Sequence, residues 1–223
     1  MHKVIELAEK VKGWVLDILF PISSLPVGIK LNQTLFCPTC RARLPNNTKI
    51  CHKKSQYKLG AASSYSDAKI RRLIWQLKYR GRTGNSVCLG ILLTDYLKNL
   101  GINLKNYSVI PVPISKNREQ KRGYNHAKLI AKIISGNFNL PLEEEMIFKN
   151  RETLPQAEVK DWEERKKNLK DCFSITDAAK VKNKNFIIVD DVFTSGATLN
   201  EIARVLKSSG ARKILGLVVA KAG

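Results

Sequence analysis

The apolar positions of this chain fall into three regimes. Val4, Leu7, Ala8, Val11, Val15, Ile18 and Leu19 recur at helical spacing, which predicts an amphipathic helix over residues 3–20, stopped by Pro21. Residues 21–60 are rich in Pro, Asn, Ser and Cys and hold no sustained period, so they read as a small irregular module that needs a staple or a larger neighbour. Ile70, Leu73, Ile74 and Leu77 then mark a short helix with Gly81 as a left-handed cap. A second helix follows over about 86–100.

Beyond residue 100 short β-branched runs alternate with helices. The pattern predicts a strand at 107–113, a helix at 124–135, a strand at 186–189, a helix at 199–209 ended by Gly210, and a strand at 213–220. Such alternation implies crossover connections and a parallel sheet, an α/β fold. The division expected is an N-terminal helix plus Cys-containing module over 1–60 and a main domain over 61–223.

Charge sharpens the picture. The 39 Lys and Arg against 19 Asp and Glu give a formal +20 and a pI near 9.9, which favours polyanionic partners. From Ile18 to Thr94 there are 13 Lys/Arg and a single acid, Asp67. No run of 18 apolar residues exists, and Glu6, Glu9 and Asp17 interrupt the N-terminal stretch where a signal peptide would be uncharged. The expected compartment is the cytoplasm. Five cysteines, three of them clustered, suit metal or free thiols better than a disulfide framework.

The strongest candidate chemistry follows the uniformly apolar run Phe186–Val189, the mark of a strand buried on both faces. Asp190 and Asp191 come next, then Val192-Phe193, then Thr194-Ser195-Gly196-Ala197-Thr198 opening a helix. Ligands of open α/β sheets bind at the carboxyl ends of strands. Small residues let backbone N–H groups converge on an anion there, and the helix adds its positive end. Two carboxylates beside such a cradle suit vicinal ribose hydroxyls. No GxxxxGK[ST] is present, so an ATPase reading has little support.

Strand, acid pair, Thr/Gly loop and helix together resemble the phosphoribosyl-diphosphate (PRPP) signature of type I phosphoribosyltransferases. A second match is similar to the ComF competence-protein family. It comprises Pro111-Val112-Pro113 with Ile114–Arg118, then Lys121-Arg122-Gly123-Tyr124-Asn125-His126-Ala127. Leu16–Pro21, Leu77–Arg82, and Arg151 through Phe173 add to it. The resemblance covers about residues 14–221. It implies that Asp190 and Asp191 hold the ribose, directly or through Mg²⁺, and that Thr194, Ser195, Gly196, Ala197 and Thr198 cradle the 5′-phosphate. It implies that Ser115, Lys116, Arg118 and Arg122 face the pyrophosphate, and that residues 151–168 form a loop over the substrate. His126 and His2 show no partner that suggests catalysis.

Cys37-Pro38-Thr39-Cys40 has zinc-knuckle spacing, and Cys51-His52 follows. Relatives of the family carry further CxxC pairs, whereas here Ser24, Val27 and Lys54 stand at the expected cysteine positions. Cys37, Cys40, Cys51 and His52 could still make a Cys₃His site, but ligands at consecutive positions are geometrically awkward. The expectation is a degenerate module with little or no zinc. Cys88 and Cys172 read as core residues.

Two functions compete. One is a phosphoribosyltransferase in which a nitrogen nucleophile attacks C1 of PRPP and releases pyrophosphate, with an acceptor the sequence does not define. The other is a single-stranded DNA-binding accessory in DNA uptake and natural transformation, working with other uptake proteins as the family resemblance implies. For the latter, helix residues Arg71, Arg72, Trp75, Lys78 and Arg80 mix cations with an aromatic ring suited to stacking bases. Regulation by a bound nucleotide is a third, weaker alternative.

Overall fold

The computed structural model describes residues 29–44, 50–52, 55–150 and 171–222. The helix expected at 3–20, the stretch Leu16–Pro21, positions 24, 27 and 54, and the loop at 151–168 lie outside them.

Eight strands are described: β1 (Leu35–Phe36), β2 (Arg43–Leu44), β3 (Lys58–Ser64), β4 (Tyr107–Pro111), β5 (Ile147–Lys149), β6 (Phe173–Ile175), β7 (Asn185–Phe193) and β8 (Lys213–Lys221). Between them lie α1 (Ala68–Tyr79), α2 (Asn85–Asn99), α3 (Lys116–Arg122), α4 (His126–Phe138) and α5 (Ala197–Ser208). The main sheet has the order β2-β1-β3-β8-β7-β4. Its last four strands are parallel, and β1 joins antiparallel to β3 and to β2. β5 and β6 form a separate antiparallel pair.

Period-two alternation along β7 sends side chains to both sheet faces. Ile187 and Val189 enter a core with Ile70, Ile74 and Leu77 of α1, Leu89 and Leu93 of α2 and Ile130 of α4. Phe186 and Ile188 enter a second core with Leu199, Ile202 and Leu206 of α5 and with Ile147 and Phe173 of the small sheet. The result is three layers, with α1, α2 and α4 on one side of the sheet and α5 on the other. Asp67 starts α1 by accepting the N–H groups of Lys69 and Ile70 at 2.8 and 3.2 Å, a cap worth about 1 kcal/mol.

Three expectations change. The basic stretch after Pro113, for which the apolar pattern predicts no element, forms a short helix, α3, none of whose residues is buried. β7 does not end at Val189 but continues through the acid pair to Phe193. β3, whose first three residues fall in the stretch 21–60 expected to be irregular, pairs with β8 in the parallel sheet, and residue 60, the expected division, lies inside it.

Candidate functional site

The two ladders of β7 stop at different places. Pairing with β4 ends at Pro111 opposite Val189, whereas pairing with β8 runs on to Phe193 opposite Lys221. Beyond Val189 the sheet therefore opens on the β4 side, a crevice at the carboxyl ends of parallel strands. A cleft of about 610 Å³ occupies it, lined by Asp190, Asp191, Thr194 and Gly196–Leu199, and across from them by Trp75, Lys78, Tyr79, Arg118, Arg122 and His126.

Gly196 shapes the loop. Its φ is +80° and it caps α5, a backbone region where a side chain is disfavoured. A Cβ there would lie 2.6 Å from Cζ of Phe193, so the loop folds down onto the last residue of β7. Ser195 Oγ accepts the Ala197 N–H at 3.4 Å. Thr194 is exposed and Thr198 half-buried at the start of a three-turn helix, so donors and a positive helix end face the cleft together.

The acid pair is asymmetric. Continuing the alternation of β7, Asp191 falls on the α1 side, where it is 2% exposed and lies 2.7 Å from Lys78 Nζ. The contact is a close ion pair that engages the buried Oδ2 of Asp191. Burial pushes the Asp191 carboxyl up, but the Lys78 charge, His126, and hydrogen bonds from Lys78 and the Val192 N–H together outweigh it, and the net shift is downward. The Asp190 side chain remains 16% exposed, and its Oδ1 accepts the Asp191 N–H at 2.9 Å. Burial, and then the neighbouring Asp191 charge, raise Asp190 to about 7. Near neutral pH one carboxylate is firmly ionised and the other is poised.

His126, which the sequence left without a role, completes the cluster. Its Nδ1 is 2.7 Å from an Arg122 guanidinium nitrogen and its Nε2 is 3.5 Å from Asp191 Oδ2. Arginine can only donate, so Nδ1 accepts and the proton of the neutral ring sits on Nε2, toward Asp191. Burial, reinforced by the Lys78 and Arg122 charges and opposed by Asp191, lowers His126 to about 4, so the ring is neutral at pH 7.

The motif around Arg122 divides its labour. Asn125 caps α4 by accepting the N–H groups of Ala127 and Lys128, and its amide donates to Val112 O at 3.0 Å. Tyr124 donates its hydroxyl to Leu77 O and so ties the motif to α1. Arg118 and Arg122 line the cleft, whereas Lys116 is exposed and Ser115 is buried at the entrance of α3. Lys78, expected on a nucleic-acid face, instead faces the acids. Trp75 and Tyr79 are 45% and 61% exposed, with Arg80 5.0 Å from the Trp75 ring centroid. Arg71 and Arg72 are exposed on the same helix.

The four candidate zinc ligands converge. Cys37, Cys40, Cys51 and His52 place their ligand atoms within 4.8 Å of one another. Cys40 and Cys51 sulfurs are 3.3 Å apart, and His52 Nδ1 lies 3.5 and 3.3 Å from Cys37 and Cys51. Zinc bond lengths of about 2.3 Å to sulfur and 2.0–2.1 Å to nitrogen give tetrahedral edges of roughly 3.6–3.8 Å. Consecutive ligands are workable here because His52 turns the ring nitrogen nearer its own backbone into the cluster. Cys37 is drawn down to about 6: burial opposes ionisation, but the Cys40 and Thr39 N–H groups outweigh it.

The phosphoribosyl transferase domain model matches residues 120–222. Competence protein F of Haemophilus influenzae is 34% identical over 111 residues, covering 48% of this chain and 47% of that protein. Competence protein ComFC of Bacillus subtilis is 27% identical over 176 residues, 78% of this chain and 65% of the relative. The DNA utilization protein YhgH of Escherichia coli K12 is 28% identical over 194 residues, 83% of each chain. The chain is thus similar to competence and DNA utilization proteins over most of its length. It spans about half of the Haemophilus relative and most of the Escherichia one. Among its described residues no helix is long and apolar enough to cross a membrane.

Proposed function

We propose that this chain is a ComF-family protein, that its cleft binds PRPP, and that it serves the uptake or use of DNA, as the names of its relatives suggest. The observation that carries the reading is the acid pair running into a loop folded down at Gly196 and capped by α5. The loop Thr194–Thr198 takes the 5′-phosphate through backbone N–H groups, Thr hydroxyls and the helix end. Asp190, with its exposed edge, accepts the ribose 2- and 3-hydroxyls. Asp191, set by Lys78 and His126, supplies the fixed negative field behind it. Arg118 and Arg122 face the diphosphate.

Transfer at C1 to a nitrogen nucleophile needs this orientation and charge stabilisation more than covalent help. Mg²⁺ fits the acid pair poorly by itself, because the Lys78 ammonium stands beside Asp191. The ion suits the site as a companion of the diphosphate, whose oxygens it prefers. The Cys₃His cluster suits Zn²⁺, in donor set and in spacing, as a structural site. Calorimetric titration with PRPP tests the reading: one equivalent bound supports it, and no heat at millimolar ligand refutes it.

A second reading rests on the exposure of Trp75 and Tyr79 at the cleft mouth. Single-stranded DNA lies along α1, with bases stacked on these rings and phosphates on Arg71, Arg72 and Arg80. The two readings are compatible, since a DNA 5′-phosphate presents the loop with the same group as PRPP.

A further inference from the structure

The Cys-containing knuckle is latched onto the loop Thr194–Thr198. Its turn is closed by the Arg41 N–H donating to Cys37 O at 2.8 Å and the Cys37 N–H donating to Ala42 O at 2.9 Å. Arg41, next to Cys40, sits at φ +61°, a left-handed conformation that glycine or asparagine adopts at lower cost. An arginine placed there needs compensation, and its side chain finds it across the sheet edge. The guanidinium donates to Thr194 O at 2.7 Å and to Ala222 O at 3.1 Å. It also lies 5.9 Å from the ring centroid of Phe193, the ring on which Gly196 packs. The Ala222 N–H in turn donates to Phe193 O at 2.8 Å. One fork therefore holds the first residue of the loop and the strand end that anchors it.

The far end of the loop is held from the same module. Tyr57, just before β3, donates its hydroxyl to Asn200 Oδ1 at 3.0 Å, and the Asn200 N–H donates to Gly196 O at 2.8 Å.

We propose that Arg41 is a positioning residue that couples the Cys37–Cys40–Cys51–His52 cluster to the loop, so that loading the cluster with metal sharpens the loop's hold on a phosphate monoester. The proposal rests on the phosphate reading of Thr194–Thr198. An occupied cluster fixes the turn that carries Arg41, the fork then fixes Thr194, and a prearranged set of N–H groups binds phosphate without an ordering cost. Coupling of this kind is reciprocal, so phosphate also tightens metal retention.

The test uses the full chain, zinc-reconstituted or treated with chelator, as wild type, Arg41→Ala and Arg41→Lys. Lysine keeps the charge but cannot span two carbonyls as a fork. Amide hydrogen exchange of residues 194–198 is read without any ligand, with Val109 and Ile110 of β4 as internal reference. Ribose 5-phosphate affinity is read by calorimetry. Arg41→Ala is expected to speed exchange of the loop amides about fivefold or more, with the β4 amides unchanged, and to weaken ribose 5-phosphate about 5–10-fold. Chelation of wild type produces the same changes and adds nothing in Arg41→Ala, and Arg41→Lys gives little rescue. Loop exchange unaltered in both variants, chelation acting equally on wild type and Arg41→Ala, or a chain that takes up no zinc overturns the coupling. Absence of ribose 5-phosphate binding in wild type refutes the phosphate reading instead, and the exchange measurement still decides the role of Arg41.

Discussion

Lys78 and Asp191 form a 2.7 Å ion pair that ties helix α1, with its exposed Trp75 and Tyr79, to the acidic end of β7. The proposed nucleic-acid face and the proposed ribose site would thereby share one electrostatic unit. Burial disfavours the Lys78 ammonium, but Asp191 and then Asp190 more than offset this and hold it charged.

Lys78→Met leaves Asp191 buried without its cation. Breaking a buried pair costs about 3–5 kcal/mol, and because the lysine side chain is 24% exposed the expected loss is about 2–3 kcal/mol at pH 7. Asp191 is depressed in the native protein, so its stabilisation is present above the ordinary carboxylate pKa and lost as pH falls through the depressed value. In the variant Asp191 titrates higher and protonates sooner. Urea unfolding at pH 7 and pH 5 should therefore show a deficit that narrows on acidification. An equal deficit at both, or none at pH 7, contradicts the pair's assigned role.

If Asp190 holds the ribose as proposed, it should set the pH dependence of binding. Its carboxyl is raised to about 7, so its contribution to stability is fully present below the unfolded value and is lost as pH rises through 7. Hydroxyl binding needs the ionised form, so PRPP affinity should rise by up to about tenfold per unit below pH 7 and flatten above it. The phosphates of the ligand titrate near pH 6 on their own. Asp190→Asn is the control: it should remove the step near 7 and leave the one near 6. A wild-type profile identical to that of Asp190→Asn rules out Asp190 as the titrating group.

The core of the site was legible because its chemistry is local. The apolar run 186–189, two acids, a Thr/Gly loop and a following helix are contiguous, and β7 and α5 lie where that pattern places them. What was illegible is what tertiary packing adds. β3 has none of the β-branched residues that announce a strand, because small residues admit neighbours: a Cβ on Gly60 would lie 3.1 Å from Tyr96 Cε1. α3 buries nothing, so it leaves no apolar period. The partners of His126 are four residues away on Arg122 and across the sheet on Asp191, and only the second makes it part of an acidic cluster. Lys78 reads as one more cation on a basic helix until the fold turns it toward Asp191. The missing cysteine positions argued against a metal site, while the proximity of four remaining groups, 15 residues apart in chain from Cys37 to His52, appears only in three dimensions.

Zinc content follows from that proximity. Purified protein, reconstituted under reducing conditions, should hold one equivalent of zinc by elemental analysis. Structural zinc contributes on the order of 10 kcal/mol in peptides that depend on it. Here the strands β1 and β2 also pack on the main sheet, so chelation should lower the melting temperature by several degrees without unfolding the chain. Cys37→Ser should do the same. Substoichiometric zinc, with melting indifferent to chelator, would instead restore the expectation of an eroded module held by packing.

Single-stranded DNA, if it follows α1, should bind with a log–log salt slope of about −0.7 per phosphate neutralised. Arg71→Ala with Arg72→Ala should make that slope shallower by about 1.4 units, and Trp75→Ala should cost about 1–3 kcal/mol for a stacked base with the slope kept. A 20-mer titrated at three salt concentrations checks both. A slope untouched by the double variant removes α1 as the track.

The measurement that bears most directly on the whole account is calorimetric titration of PRPP into wild type and Asp190→Asn at pH 8, with melting curves alongside. Asp190 is the partly exposed acid, so its neutral replacement should leave the melting temperature unchanged or raised. The account predicts one equivalent of PRPP bound by wild type and at least about tenfold weaker binding by Asp190→Asn, a loss on the order of 1.4 kcal/mol or more. Equal affinity in the two folded proteins, or no PRPP bound by either, contradicts a ribose-phosphate site at the end of β7.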